Sequence, residues 1–548
     1  MTKSIRQCDA VTCRETWAVL GCAVVASLVA IAWSWQNGAL LNYGDAVAHM
    51  HIARRVFDCL QPRVSQLGSV WLPLPHLLML PFVQVYAWWA NGLAGLIPST
   101  LAYIASCVGI YRLARRWMPP AASALALGFF ALNPNLLYMG TTAMTEPLFL
   151  CEMVWIALWL VEWREYLDTD AEKARRLLYW IAAGLIAAVY TRYDGWIMTF
   201  LAWCGIGLEL LLRNRLRQRT FWLLSLLIVA APIAWFVYNQ AAFGDWLEFS
   251  RGPYSAKAIE LRTMTPGDGP PHPGWHNMWV SLIFFVKTAE MNAIAAVLGN
   301  FLFVLGIVAS FAAWLLRRRH GIGWALQLLW LPMPFYAYSV AYGSVPIFIP
   351  VWWPHAWYNT RYGMELLPAF ALGVGFAAQF AIAAAREFKP QLEKFAVATV
   401  AVLLAINVVE VLREHPLVYV EGTKNIEAHR PYQQAVPPAL KELLATRPGA
   451  TILMETSVDP EIVALTGIPL RQTINEADLK IWDNALAAPA KAAPIVLTFD
   501  GDAVDAAVKA HPEGLTAVRR FTAKGQPSGT LYVTDGAFGA LPSTMAER

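Results

Sequence analysis

The sequence predicts a polytopic α-helical membrane protein with a small soluble α/β domain at its C-terminal end. Three observations predict it. Of 548 residues, 57% are hydrophobic and only 15% are charged, where soluble globular chains carry about 25% charged residues. Apolar runs long enough to cross a bilayer recur up to about residue 412 and then stop. Beyond that point short β-like runs alternate with helical ones. The same figures exclude disorder, collagen and nucleic-acid binding. Apolar content is high, the 35 Gly and 34 Pro follow no short period, and net charge is only +4. The 25 Trp suit long membrane–water boundaries.

A spanning helix needs about 20 predominantly apolar residues. Such segments lie near 17–36, 96–117, 120–138, 147–163, 177–191, 196–212, 221–239, 293–316, 323–342, 364–385 and 395–412, about eleven in all. The first follows Lys3, Arg6 and Arg14 and lacks a small-residue cleavage site before Trp33 and Trp35, so it reads as an uncleaved anchor. Lys and Arg set the orientation. Alternate connections hold 20 of them against 9 on the other side, most of the 9 in long loops. The richer side, with the N-terminus, is therefore expected in the cytoplasm of a plasma (inner) membrane protein.

Residues 177–212 are apolar except for Thr191-Arg192-Tyr193-Asp194-Gly195, and basic at both ends. A single helix would put one basic end outside, so a tight hairpin is expected, with its charged tip slightly sunk below the outer surface. Charges so placed are costly unless paired or functional. Residues 1–412 thus read as the membrane domain and 413–548 as a soluble extracytoplasmic one. In the latter, strands are expected at 451–455, 494–499 and 530–534 and helices at 460–465, 476–487 and 502–510. The seven cysteines all precede residue 205, most in apolar runs, and suggest neither a zinc site nor a disulfide framework.

The topology sends every polar cluster of interest to the outer side. Asp45 lies just past the first span and opens a surface helix, where it serves as N-cap, as catalytic carboxylate, or as both. His49 is four residues on and shares its face, whereas His49 and His51 face different ways and do not make a metal pair. The second outer loop supplies Glu146, an ordinary acid for a helix N-terminus or a site residue. Glu152 in the same helix is a satisfied buried acid or faces the site. Arg192 and Asp194 at the hairpin tip pair with each other or serve the site. The loop at 240–290 adds Tyr254 and Lys287, and residues 352–362 add His355 and Arg361 among aromatics of belt or sugar-platform type. Arginine matches phosphate oxygens with a planar fork, so Arg361 at headgroup depth is the candidate for a donor phosphate. Outward carboxylates, arginines and aromatics together suit transfer from a lipid-phosphate donor. A lipid phosphate leaves as a stable anion, so one base suffices, unlike a glycosidase with its two carboxyls.

These residues resemble a known family. Gly44-Asp45-Ala46, Glu146, Thr191-Arg192-Tyr193-Asp194-Gly195, Asn359-Thr360-Arg361-Tyr362 and the outer C-terminal domain resemble, in order and sidedness, the GT-C glycosyltransferases. The branch of protein O-mannosyltransferases and lipid A aminoarabinose transferases is the nearest in pattern, over about residues 17–410. The resemblance implies Asp45 as catalytic base or acceptor-orienting carboxylate and Glu146 as a second acidic contact to substrate or metal. It implies Arg361 and Arg192 as donor-phosphate ligands. That branch often has two adjacent acids in the first loop, whereas Asp45 is followed by Ala46, and no Asp-x-Asp stands in the second outer loop. No cofactor is called for by the pattern; a divalent metal ion, if one binds, is expected on Asp45 and Glu146.

The expected function is an inverting transfer of one sugar from a polyprenyl-phosphate carrier to a hydroxyl of a glycan, lipid or protein acceptor. His49, Asp194, Tyr254, Lys287 and His355 complete the expected substrate contacts. Membrane lipids are the other partners. The alternatives are a transporter or flippase of a lipid-linked glycan, and a polymerase or ligase of preassembled glycans. A transporter would carry ionisable residues near mid-membrane and repeated halves, and the charges here gather at outer helix ends instead.

Overall fold

The computed structural model describes residues 11–264, 270–317 and 326–534. Lys3, Arg6, Cys8, Arg318, Arg319 and the start of the span expected at 323–342 lie outside the described residues. The chain forms two compact units: Met1–Asn37, Ser69–Pro75 and Pro98–Glu421 make the first, and Gly38–Gly68, His76–Ile97 and Gly422–Arg548 the second.

The first unit is helical, and its core is a layer of large apolar side chains, among them Phe149, Ile156, Trp163, Leu185, Ile206 and Phe376. Among the described residues of the whole chain, six helical stretches are long and apolar enough to cross a membrane: Cys13–Gln36, Leu93–Ala114, Asp194–Leu212, Arg219–Phe243, Thr360–Phe388 and Leu392–Thr446. That is fewer than the eleven segments read from the sequence, for local reasons. The run at 120–138 breaks into Pro120–Ala131 and Pro134–Met139. Asn133 turns the chain there, its side chain accepting from the Leu136 N–H at 3.1 Å, and Pro134 takes the first helical position. The helices Glu146–Tyr166 and Ala171–Thr191 carry acids and bases near their ends. The run at 323–342 yields one short turn, Leu328–Trp330, and the helix Pro332–Tyr342. Conversely, Met278–Ala293 is helical where the sequence suggested a loop, because Lys287, Glu290 and Asn292 interrupt its apolar pattern.

The hairpin expected at 177–212 is present as two helices joined by Arg192 and Tyr193. Gly195 makes the close turn possible, since a Cβ there would overlap the Ala188 carbonyl. The basic loops are neutralised where they lie. Arg112 pairs with Glu162 at 3.3 Å, Arg164 with Glu209 at 3.0 Å and Arg215 with Asp168 at 3.2 Å. Glu146 and Arg164 stand at opposite ends of one 21-residue helix, which rises roughly 31 Å.

The second unit holds a five-stranded sheet. Its strands are β1 (Ile452–Leu453), β2 (Thr473–Ile474), β3 (Ile495–Phe499), β4 (Leu515–Phe521) and β5 (Gly529–Thr534), in the order β2-β1-β3-β5-β4. β1 runs parallel to β2 and β3, and β5 antiparallel to β3 and β4. Every residue of β3 is buried, as its unbroken apolar run requires of a central strand. The edge strand β4 carries Arg519 and Arg520, charges that discourage pairing with another chain. Leu453, Trp482, Val496, Val504 and Val508 pack the core. Strands expected at 451–455, 494–499 and 530–534 correspond to β1, β3 and β5. The two-residue β2 is too short to show a pattern, and β4 lacks strict alternation.

The helix Gly44–Arg55 also belongs to the second unit and corrects one expectation. Its N-cap is Tyr43, whose side chain makes no capping bond; Asp45 sits in the first turn instead. The Gly44 N–H is taken by Asn425 Oδ1 at 3.0 Å, so one orphan amide of the helix start is satisfied from another segment.

Candidate functional site

Four residues singled out by the sequence meet in the first unit. Glu146 is 1% exposed at the start of its helix. Its Oε1 accepts from Arg192 Nη1 at 3.3 Å and from Arg361 Nε at 3.1 Å. Arg192 also reaches Asp194 Oδ2 at 3.2 Å, Glu365 Oε1 at 3.1 Å, Thr145 Oγ1 at 2.9 Å and Tyr336 Oη at 2.7 Å. The Tyr336 hydroxyl in turn lies 2.7 Å from Glu365 Oε1 and 3.3 Å from Asp194 Oδ2. Arg192 and Asp194 therefore do pair, but inside a larger network.

Arg361 stands in the turn Thr360–Leu366 and donates through Nη1 to Glu421 Oε1 at 2.9 Å. Glu421 fixes the whole turn. It accepts the Asn359 N–H at 2.9 Å, the Thr360 N–H at 2.8 Å and the Thr360 hydroxyl. Asn359 adopts the left-handed conformation, φ +55°, which asparagine tolerates better than most residues. Gly363 is required by packing: a Cβ there would come 2.7 Å from the backbone of Thr288 and Ala289. Asn292 Nδ2 donates to the Thr360 carbonyl at 2.7 Å, and the Asn292 carbonyl accepts from Asn133 Nδ2 at 2.8 Å. The Tyr362 ring lies 5.1 Å from the Arg192 guanidinium carbon and 5.0 Å from that of Arg361, within cation–π range.

Glu146, Asp194, Glu365 and Glu421 thus set four carboxylates against two guanidiniums, with the arginine side chains only 14% and 8% exposed. Buried charges persist only when paired and hydrogen-bonded, and this network pairs each of the six. It is acid-rich and presents arginine at the end of the helices remote from the basic loops.

Other residues expected here are engaged elsewhere. Lys287 Nζ pairs with Glu290 at 3.1 Å. His355 Nδ1 lies 2.9 Å from the Pro350 carbonyl. Tyr254 is half-buried between the short helices Glu248–Arg251 and Ala256–Thr263. Glu152 Oε1 accepts from Thr191 Oγ1 at 2.7 Å, while its buried Oε2 has no hydrogen-bond partner among the described residues. Sequence reasoning missed Tyr336, Glu365 and Glu421. Glu365 had a signal, as an acid inside the apolar run at 364–385. Tyr336 and Glu421 had none, since their partners lie far away along the chain.

Asp45 and His49 belong to the second unit. His49 Nδ1 lies 2.8 Å from His76 Nε2, one ring donating to the other, both buried. Farther along the same helix, Arg54 bonds Asp58 at 2.7 Å and stands 4.7 Å from the Trp89 ring. In this unit Glu461, which accepts from Gln433 Nε2 at 2.8 Å, has its carboxyl pushed up by burial and by the acid Asp459 beside it. A raised acid stabilises the fold fully below the unfolded value, about 4.3 for glutamate, and loses that contribution as pH rises through the folded one. Thermal unfolding of the protein in detergent is therefore expected to fall from pH 6 to 9, with a flatter profile in Glu461→Gln; parallel profiles would refute the assignment.

Among the described residues no group of three or more His, Cys, Asp or Glu is arranged to hold a metal ion. Glu146 Oε1 is engaged by the guanidiniums of both Arg192 and Arg361.

Comparison with known proteins supplies the fold. No family model matches the sequence, and no curated protein does. Solved structures do. ArnT from Cupriavidus metallidurans in the apo state matches with a TM-score of 0.54 at 14% identity, covering 97% of this chain and 100% of that one. The same protein bound to undecaprenyl phosphate matches at 0.55, again with 14% identity and the same coverage. An oligosaccharyltransferase from Archaeoglobus fulgidus, complexed with zinc and sulfate, matches at 0.50 and 11% identity over 94% of this chain and 73% of that one. The likeness shows the fold that this chain shares with these structures. With six apolar stretches of spanning length, the chain is a multi-pass membrane protein.

Proposed function

We propose that the protein moves one sugar, with inversion, from a polyprenyl-phosphate carrier to an acceptor hydroxyl at the extracytoplasmic face of the plasma membrane. The N-terminus would then be cytoplasmic and the C-terminal domain outside, as the Lys and Arg distribution requires. The observation that carries the reading is Arg361, held by Glu146 and Glu421 beside a spanning helix in a GT-C fold. A structural neighbour of that fold is bound to undecaprenyl phosphate.

In this reading the acceptor oxygen attacks the anomeric carbon from the face opposite the phosphate. The carbon–oxygen bond to phosphate breaks, the phosphate keeps the electron pair, and the acceptor proton passes to a carboxylate. Asp45 is that base, about 3 Å from the hydroxyl in the reacting complex. Arg361 meets the growing charge on the phosphate, where a planar fork with two parallel donors is stronger than a point charge. Arg192, bound on all three nitrogens to protein groups, is the cross-link that holds Glu146 and Glu365 in place.

The test uses protein in lipid with radiolabelled polyprenyl-phosphate sugars, scoring release of polyprenyl phosphate. Turnover of at least one donor is expected; intact donor binding without turnover would move the weight to a flippase or glycan ligase. Because two guanidiniums engage Glu146 Oε1, EDTA is expected to leave the rate within about twofold, well under the 1.4 kcal/mol of a tenfold change. A rate abolished by EDTA and restored by a divalent ion would overturn that part. Arg361→Ala is expected to weaken donor binding about tenfold or more, with the acceptor KM nearly unchanged. Equal losses for both substrates would remove Arg361 from the phosphate.

A further inference from the structure

Two buried histidines of the second unit pair beside the expected base. His49 is four residues beyond Asp45 in the helix Gly44–Arg55 and so shares its face. His76 stands in the helix Leu74–Val83. The two rings lie 5.1 Å apart, tilted by 34°, and His49 Nδ1 meets His76 Nε2 at 2.8 Å. In such a contact one nitrogen carries the hydrogen and the other does not. The distance alone does not say which.

The far side of His76 decides it. His76 Nδ1 is buried and, among the described residues, has no hydrogen-bond partner. A neutral imidazole carries its proton on one nitrogen only. Were that nitrogen Nδ1, a buried N–H would be left without an acceptor. Native interiors rarely tolerate an orphaned donor and more often leave an acceptor idle. An imidazolium would carry the same orphaned Nδ1–H. Burial, with His49 and Arg55 nearby, also holds the His76 ring well below the usual histidine range. His76 is therefore neutral and protonated on Nε2, and it donates to His49 Nδ1.

The state of His49 follows. Its Nδ1 accepts and so is bare, which rules out an imidazolium, since that form donates from both nitrogens. Its single proton is on Nε2. We propose that His76 is a positioning residue that locks His49 as a neutral Nε2–H donor on the Asp45 face of the helix. The proposal rests on the transfer reading with Asp45 as base. Of these two side chains only Asp45 can then accept. His49 Nδ1 is occupied and Nε2 already protonated, so the acceptor's O–H proton passes to the Asp45 carboxylate. A neutral donor also lowers the basicity of a neighbouring carboxylate less than an imidazolium would.

The experiment labels histidine in the full-length protein in nanodiscs and reads its ring nitrogens by solid-state NMR. The same samples are assayed for release of polyprenyl phosphate from radiolabelled polyprenyl-phosphate sugars. Signals lost in His49→Gln and His76→Gln assign the two rings. Both are expected neutral and protonated on Nε2. Glutamine keeps an N–H donor where His76 Nε2 stands, and leucine keeps none. His76→Leu should free His49 from its single tautomer and lower kcat about tenfold or more, with donor binding unchanged. His76→Gln should hold the tautomer and stay within about threefold of wild type. A proton on His76 Nδ1, an imidazolium at either ring, or equal rates in the two variants would overturn the proposal. If the leucine variant fails to fold, the wild-type spectrum and the glutamine variant still decide. Turnover with His76 protonated on Nδ1 would sink this proposal alone. No turnover with any donor, with both rings protonated on Nε2, would sink the transfer reading instead.

Discussion

Replacing Asp45 with asparagine is expected to cut sugar transfer by roughly 10²- to 10⁴-fold, the usual contribution of a positioned general base. Asparagine keeps the size of the side chain and loses only the ability to take a proton. Asp45 stands in the first turn of the helix Gly44–Arg55, whose leading amide is already bound by Asn425. Fold loss is therefore a small part of the effect. Folded yield and unfolding temperature should stay near wild type while release of polyprenyl phosphate collapses. Donor binding should survive, because the change removes an interaction with the acceptor. Full activity in the asparagine variant would eliminate Asp45 as the base.

Glu146→Ala is expected to have the second largest effect, and through a different quantity. Its Oε1 is shared by Arg192 and Arg361, both largely buried. Removing one partner of a buried pair leaves an uncompensated charge and typically costs about 3–5 kcal/mol. Glu146→Ala should therefore unfold at a markedly lower temperature in detergent, and Glu146→Gln should fall between it and wild type. Because the partners couple, the same change made in an Arg361→Ala background should cost less than it does alone. Additive losses would mean that the 3.1 Å contact carries little energy.

What the sequence reveals follows the range of the interactions. Hydropathy finds helices that bury most of their surface in lipid or core, such as Cys13–Gln36 and Arg219–Phe243. Basic residues at both ends of 177–212 reveal the hairpin, because charge asymmetry is a local property. The break at Asn133 and Pro134 was equally local and was hidden only by the apolar composition on both sides. Glu146, Arg192, Asp194 and Arg361 announce themselves as charges at helix ends. Glu421 does not. It looks like an ordinary acid following the last apolar run, and its four hydrogen bonds to 359–361 span some sixty residues of chain. The same holds for Tyr336, whose hydroxyl bridges Arg192 and Glu365.

The shared oxygen of Glu146 also imposes an order on biosynthesis. Glu146 and Arg192 leave the ribosome long before Arg361 and Glu421, since domains emerge from the N-terminal side at about 5–20 residues per second. For some ten to forty seconds the early half of the network is inserted without its later half. During that interval Glu146 lacks its contact with Arg361, and Arg192 lacks its contact with Glu365. A nascent chain stopped before residue 359 has most of its apolar helices and only the early half of this buried network. The network closes only when Glu421, its last acid along the chain, reaches Arg361.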